Sequence, residues 1–171
     1  SGRAFSTVDD KFRVAFTTIS EKGTGSTKWL DMAKFDVTQK TAWYSKLYGS
    51  SGSSYTPLRG ALSKAGRYYA GTFVTGNNDP VQYSCQKNFT LLTTDGYWNS
   101  DTTTSIKDLL DSAMGNMDAS PTARPMFEGP TASSGSLADV AKYYYETDLR
   151  TSGLSNCTGS LGLDVCQEST T

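Results

Sequence analysis

The chain has 171 residues, 36% of them apolar and 19% charged, a size and mixture suited to one folded domain with a real core. With 16 basic and 17 acidic side chains the net charge is −1, which argues against a nucleic-acid module, and no window approaches the ~20 apolar residues of a membrane span. Histidine is absent, which removes Ser-His-Asp triads, histidine general bases and His-ligated zinc, while 22 serines and 23 threonines give a hydroxyl-rich composition common in secreted and surface proteins.

In chain order, Ser1-Gly2-Arg3-Ala4-Phe5 lacks the cationic-then-apolar pattern of a signal peptide. Lys11 to Ile19 is rich in β-formers with partial alternation and predicts a strand; Ser20 to Thr27 is a polar loop. Thr41 to Tyr48 predicts a short helix ending at Gly49. A second helix is predicted over Pro57 to Tyr69, with Thr56 as N-cap, Pro57 at the first helical position and Leu58, Leu62, Ala65 and Tyr69 on one apolar face. Gly60 and Gly66 weaken that helix and point to close packing on a sheet. Gly71 to Thr75 is a candidate short strand, and Gly76 to Pro80 a turn cluster.

Phe89, Leu91 and Leu92 mark a buried strand that stops at Thr94-Asp95-Gly96, with an acid at its carboxyl end, where open α/β sheets bind ligands. Ser105 to Met114 predicts a short amphipathic helix with Ile106, Leu109, Leu110 and Met114 on one face. Ser120 to Ser134 reads as an extended loop. Ser136 caps a helix running to Arg150, with Asp139 at its third position and Leu137, Val140, Ala141, Tyr144 and Tyr145 as its buried face. Strands alternating with helices predict an α/β chain with a largely parallel sheet.

Three cysteines are an odd number. Cys157 and Cys166 enclose eight residues of Ser/Gly-rich sequence, a spacing that closes readily as a disulfide; free thiols are the alternative. Cys85 is then left to a partner outside the chain or to a small buried hydrophobic role.

Thr56 and Asp95 stand out chemically, because a threonine hydroxyl and a carboxylate are hard oxygen ligands suited to Mg²⁺ or Ca²⁺. Two oxygens do not hold such an ion, so the plainer reading is an N-cap and a turn former. Asp101-Thr102-Thr103-Thr104-Ser105 has metal-loop spacing without a preceding buried strand, and reads as a helix entry. Tyr97 and Trp98 directly follow the Asp95 turn and are candidate partner contacts, or cover for a core edge.

At Thr56-Pro57-Leu58 and Thr93-Thr94-Asp95-Gly96 the chain resembles a von Willebrand factor A domain, matching the second and third loops of its metal-ion-dependent adhesion site. The longer strings Ser84 to Asn99, Thr56 to Leu62, Arg13 to Ile19 and Leu137 to Arg150 resemble PilY-type type IV pilus biogenesis factors, bacterial tip adhesins, in the family's order. That resemblance implies a partial three-layer, Rossmann-like A domain over residues 1–150, mostly parallel and lacking its first central strand, followed by a loop segment over 151–171 clipped by Cys157–Cys166. It also implies an extracellular, non-enzymatic adhesion and pilus-assembly module supporting twitching motility. Its partners would be pilins or minor pilins, a host or abiotic surface and the remainder of a larger parent protein. In it Thr56 and Asp95 would help hold a divalent cation, and Tyr97 and Trp98 would flank the contact. The family's Asp-x-Ser-x-Ser metal loop is not found in the chain, so the ion site is incomplete within it. A structural pilus subunit without metal, and a metal-assisted hydrolase using Asp95, are the alternatives.

Overall fold

A computed structural model describes residues 2–20, 27–52, 55–73, 79–94, 96–99, 101, 105–118 and 133–166. Its elements are α1 (Gly2–Phe5), β1 (Arg13–Phe16), β2 (Leu30–Lys34), α2 (Val37–Gly49), α3 (Leu58–Tyr69), α4 (Leu137–Glu146) and a 3₁₀ turn (Ser152–Leu154).

The first lobe is built on aromatics. β1 and β2 pair antiparallel, with an irregularity between Val14 and Phe16. Asp36 caps α2 by accepting from the Gln39 amide at 2.9 Å. The Gln39 side chain then reaches back to both strands, donating to the Val14 and Asp31 carbonyls at 2.8 Å each. Buried Trp43 stacks on Phe5 at 4.4 Å and meets Phe16 and Phe35 edge-on at 6.0 Å each, closing the lobe.

The second lobe packs α3 against α4 around Ile106, Met114 and Val140. Ser136 and Asp139 form a reciprocal capping box at the start of α4. The buried Asp139 carboxylate also accepts from the Met117 and Asp118 amides, so it fastens residues 117–118 as well as its own helix. Tyr68 joins the lobes: its hydroxyl accepts from the Met32 amide at 3.1 Å, and its ring meets Trp29 edge-on at 5.1 Å. The tail folds back through the Cys157–Cys166 disulfide, with the Ser160 amide donating to the Val81 carbonyl at 3.0 Å.

This architecture overturns the expected A-domain fold. The described residues hold a two-stranded antiparallel sheet with helices, not a mostly parallel three-layer sheet. Residues 88–94, read as its buried strand, lack a strand partner among the described residues, and Phe89 and Leu91 are 80% and 72% exposed. An apolar run fixes a strand's place only if neighbours pair with it, and local sequence does not say whether they do.

Residues 105–114 are not a helix either. Asp108 Oδ1 accepts from the Leu110 and Ser112 amides at 2.9 and 2.8 Å, competing for donors a helix would use, and Asp111 turns the chain at φ 61°. Ile106, Leu109 and Met114 are still buried, whereas Leu110 points out. The helix predicted to reach Arg150 ends at Glu146, and its Tyr145 is exposed. β2 and α1 were not foreseen. Of the candidate strand over Gly71 to Thr75, residues 71–73 form a turn and the remainder lies outside the described residues, as does most of the loop over 120–134.

Gly66 packs on a helix, not on a sheet: a Cβ there would fall 2.1 Å from Tyr144 Cδ1. Gly66→Ala, favoured by about 1 kcal/mol of helix propensity, is therefore expected to destabilise the fold, read as a lowered urea midpoint. Tyr144 gives a second prediction. Burial pushes its hydroxyl, which donates to the Lys107 carbonyl at 2.7 Å, up to about 12. Between pH ~10 and ~12 the unfolded chain has lost this proton and the folded chain has kept it, so stability falls as pH rises through that window. Tyr144→Phe is expected to flatten the decline, measured by urea midpoints across the same range.

Candidate functional site

The entry to α3 gathers the sequence-predicted residues that the structure describes. Thr56 does not cap α3. Pro57 takes the cap position at φ −81°, ψ 66°, an inverse γ-turn closed by the Leu58 amide donating to the Thr56 carbonyl at 2.9 Å. The helix donors are satisfied from a distance instead. Asp101 accepts from the Arg59 amide at 2.8 Å through Oδ2 and from the Gly60 amide at 3.2 Å through Oδ1. A Cβ on Gly60 would lie 3.0 Å from that oxygen, so glycine lets the carboxylate come close. A negative group at a helix amino end is favoured both by the unpaired N–H groups and by the helix dipole.

Arg59 turns back over this junction. Its guanidinium donates to the Gly135 carbonyl at 2.9 Å and the Asp101 carbonyl at 3.2 Å, and Nε lies 3.6 Å from Asp101 Oδ2. Cζ sits 3.6 Å from the centroid of the Trp98 ring, a cation–π stack. Asn99 completes the link: its side-chain oxygen accepts from the Thr56 amide at 2.8 Å while its own amide donates to the Thr56 carbonyl at 3.0 Å.

The result is a rim on which Trp98 is 45% exposed and Tyr97 97% exposed, with Tyr55 beside Thr56 in sequence and also exposed. Trp98 is held by the buried cation beneath it. The rim joins Thr56 to the segment that follows Asp95; Asp95 itself lies outside the described residues, as do 102–104 of the Asp-x-Thr-x-Ser stretch. The Asp101 carboxylate is enclosed and committed to α3 and Arg59. Sequence reasoning missed Arg59, because nothing local ties it to an acid 42 positions on or to Trp98.

Of the remaining candidates, Cys157 and Cys166 form the expected disulfide, with S–S 2.08 Å and Cα–Cα 5.0 Å. Asp164 lies close to both sulfurs, but bonded sulfurs are not thiolate ligands. Cys85 is a free, exposed thiol and not a buried hydrophobe. Among the described residues no helix is long and apolar enough to cross a membrane.

No family model and no solved structure matches the chain. Among curated proteins it is similar to the type IV pilus biogenesis factor PilY1 of Pseudomonas aeruginosa strain UCBPP-PA14, 34% identical over 123 residues, covering 71% of this chain and 10% of that protein. PilY1 of strain PAK is 27% identical over 169 residues (86% of this chain, 14% of that protein), and PilY1 of strain PAO1 33% identical over 124 (63% and 10%). The chain is thus related over most of its length to a stretch of PilY1, and spans about a tenth of the length of these relatives.

Breaking the junction tests its structural part. Asp101→Ala leaves the α3 donors and a buried guanidinium uncompensated and is expected to cost about 3 kcal/mol in a denaturant titration. Asn99→Ala, at a more exposed position, is expected to cost about 1 kcal/mol.

Proposed function

We propose that the chain is a non-enzymatic adhesion and assembly module of a type IV pilus-associated protein acting outside the cell, at or near the pilus tip. Its relation to PilY1 supports the pilus role. The observation that carries the adhesive reading is the exposed Tyr97–Trp98 rim backed by buried Arg59, since an aromatic held before binding loses little freedom on contact. Its partners on this reading are pilins or minor pilins, a host or abiotic surface, and further parts of a longer parent protein.

Thr56 and Asp95 contribute oxygen ligands to a divalent cation, Mg²⁺ or Ca²⁺, and a partner's carboxylate supplies another. The reciprocal Thr56–Asn99 hydrogen bonds support this reading, because they tether the segment after Asp95 to Thr56. Such ions take six or more ligands, so water and further groups complete the shell. A structural module without metal is the second reading, favoured by the commitment of the Asp101 carboxylate to α3.

Calorimetric titration of the chain with Ca²⁺ and with Mg²⁺ separates the two. Asp95→Ala is expected to weaken binding of one of them at least about tenfold, the scale of losing one charged ligand. Equal behaviour of variant and parent removes the metal role. Loss of pilin capture in Trp98→Ala with its fold intact supports the rim as the contact, and unchanged capture in Tyr97→Ala and Trp98→Ala refutes it.

A further inference from the structure

The segment beyond α4 holds three metal-ligating side chains that the proposed function does not use. The Cys157 and Cys166 sulfurs and a carboxylate oxygen of Asp164 all lie within 4.8 Å of one another, the one such grouping of three among the described residues. Here the sulfurs are bonded to each other. Every chain is synthesised with thiols, however, and in that state the same three side chains are available as ligands.

The hairpin that carries them is held by more than its sulfur bridge. The Val165 amide donates to the Cys157 carbonyl at 2.8 Å and the Gly159 amide to the Leu163 carbonyl at 3.0 Å, and Gly162 turns the chain at φ 73°. Both strands are pinned to the body. Asn156 donates to the Ala70 and Leu149 carbonyls at 2.8 and 2.7 Å, and its own carbonyl accepts at 3.0 Å from Arg150, which is paired with Asp79 at 2.6 Å. Val165 is buried, and the Ser160 amide donates to the Val81 carbonyl. These contacts keep Cys157 and Cys166, with Cα atoms 5.0 Å apart, close together once the bridge is opened.

The donor set selects the ion. Two thiolates favour Zn²⁺ over Mg²⁺ and Ca²⁺, which take oxygen. Tetrahedral Zn²⁺, with Zn–S of about 2.3 Å and Zn–O of about 2.1 Å, needs these ligand atoms about 3.6 to 3.8 Å apart. Side-chain rotation within the 4.8 Å envelope reaches that spacing. Asp164 is exposed, forms no ion pair among the described residues, and accepts from the Cys166 amide at 2.9 Å through one oxygen, which leaves acceptor capacity for a metal. Water fills the fourth position.

We propose that the Cys157–Cys166 clip is, in its reduced form, a Zn²⁺ site with Cys157, Cys166 and Asp164 as protein ligands, and that disulfide formation switches it off. Binding displaces the two thiol protons to solvent. Oxidation by a small disulfide such as glutathione disulfide takes two electrons from the two thiolates, forms the S–S bond, releases the oxidant as two thiolates and frees the ion. While the ion is bound, the pair is kept from cross-pairing with Cys85, which is free and exposed. The site shares no residue with the Thr56–Trp98 rim, so it stands or falls separately from the adhesive reading.

Titration of the reduced 171-residue chain, carrying Cys85→Ser, with Co²⁺ as a coloured substitute for Zn²⁺ is the test. One equivalent is expected to give thiolate-to-cobalt charge-transfer absorption and the visible bands of a four-coordinate ion, bleached by Zn²⁺ and absent from the oxidised chain. Asp164→Ala, at an exposed position, is expected to weaken binding about tenfold, and denaturing urea at least as much. Absence of the charge-transfer band from the reduced chain overturns the proposal. So does unchanged affinity in Asp164→Ala, or equal affinity in urea, which would show two flexible thiols and no built site.

Discussion

Two buried arginines hold the ends of α3, and the rest of the second lobe depends on them. Arg59 joins the amino end to Asp101, the Gly135 carbonyl and Trp98. Arg150 joins the carboxyl end, through the Tyr69 carbonyl, to Asp79 and Asn156. A chain with little sheet must satisfy its buried backbone groups by other means, and a planar five-donor group does this for several segments at once. The charges also follow the helix dipole, carboxylate at the amino end and guanidinium at the carboxyl end.

Features with local causes were legible in the sequence. The box formed by Ser136 and Asp139 closes within four residues, and the ten-residue span from Cys157 to Cys166 sits in turn-forming sequence, so both follow from short-range chemistry. The inner face of α3 was readable in part: Leu58 is buried as predicted and Leu62 packs on the core, but Arg59, Gly60, Ser63, Gly66 and Tyr68 are buried while Ala65 and Tyr69 are only half-buried. The difference lies in the partner: α4 lays the Tyr144 ring on α3, and Gly66 supplies the space for it beside Leu62.

Features with distant causes were not legible. The expected sheet rested on reading residues 88–94 by composition, but strand burial is a property of neighbours. The candidate rim shows the same division. Thr56 and Trp98 attract notice as residue types, whereas their connection runs through Asn99, 43 positions from Thr56, and through Arg59 and Asp101, 42 positions from each other. Relation to PilY1 came from whole strings of residues, which carry ancestry without specifying which segments pair.

The uncovered stretch at 88–94 has a consequence for handling the protein. A run that bears Phe89 and Leu91 in solvent, without a strand partner among the described residues, is a template for intermolecular β-pairing and an entry for proteases. It carries no acidic residue and no proline to discourage such pairing. Such a surface run offers a route to self-association that does not require either core to unfold.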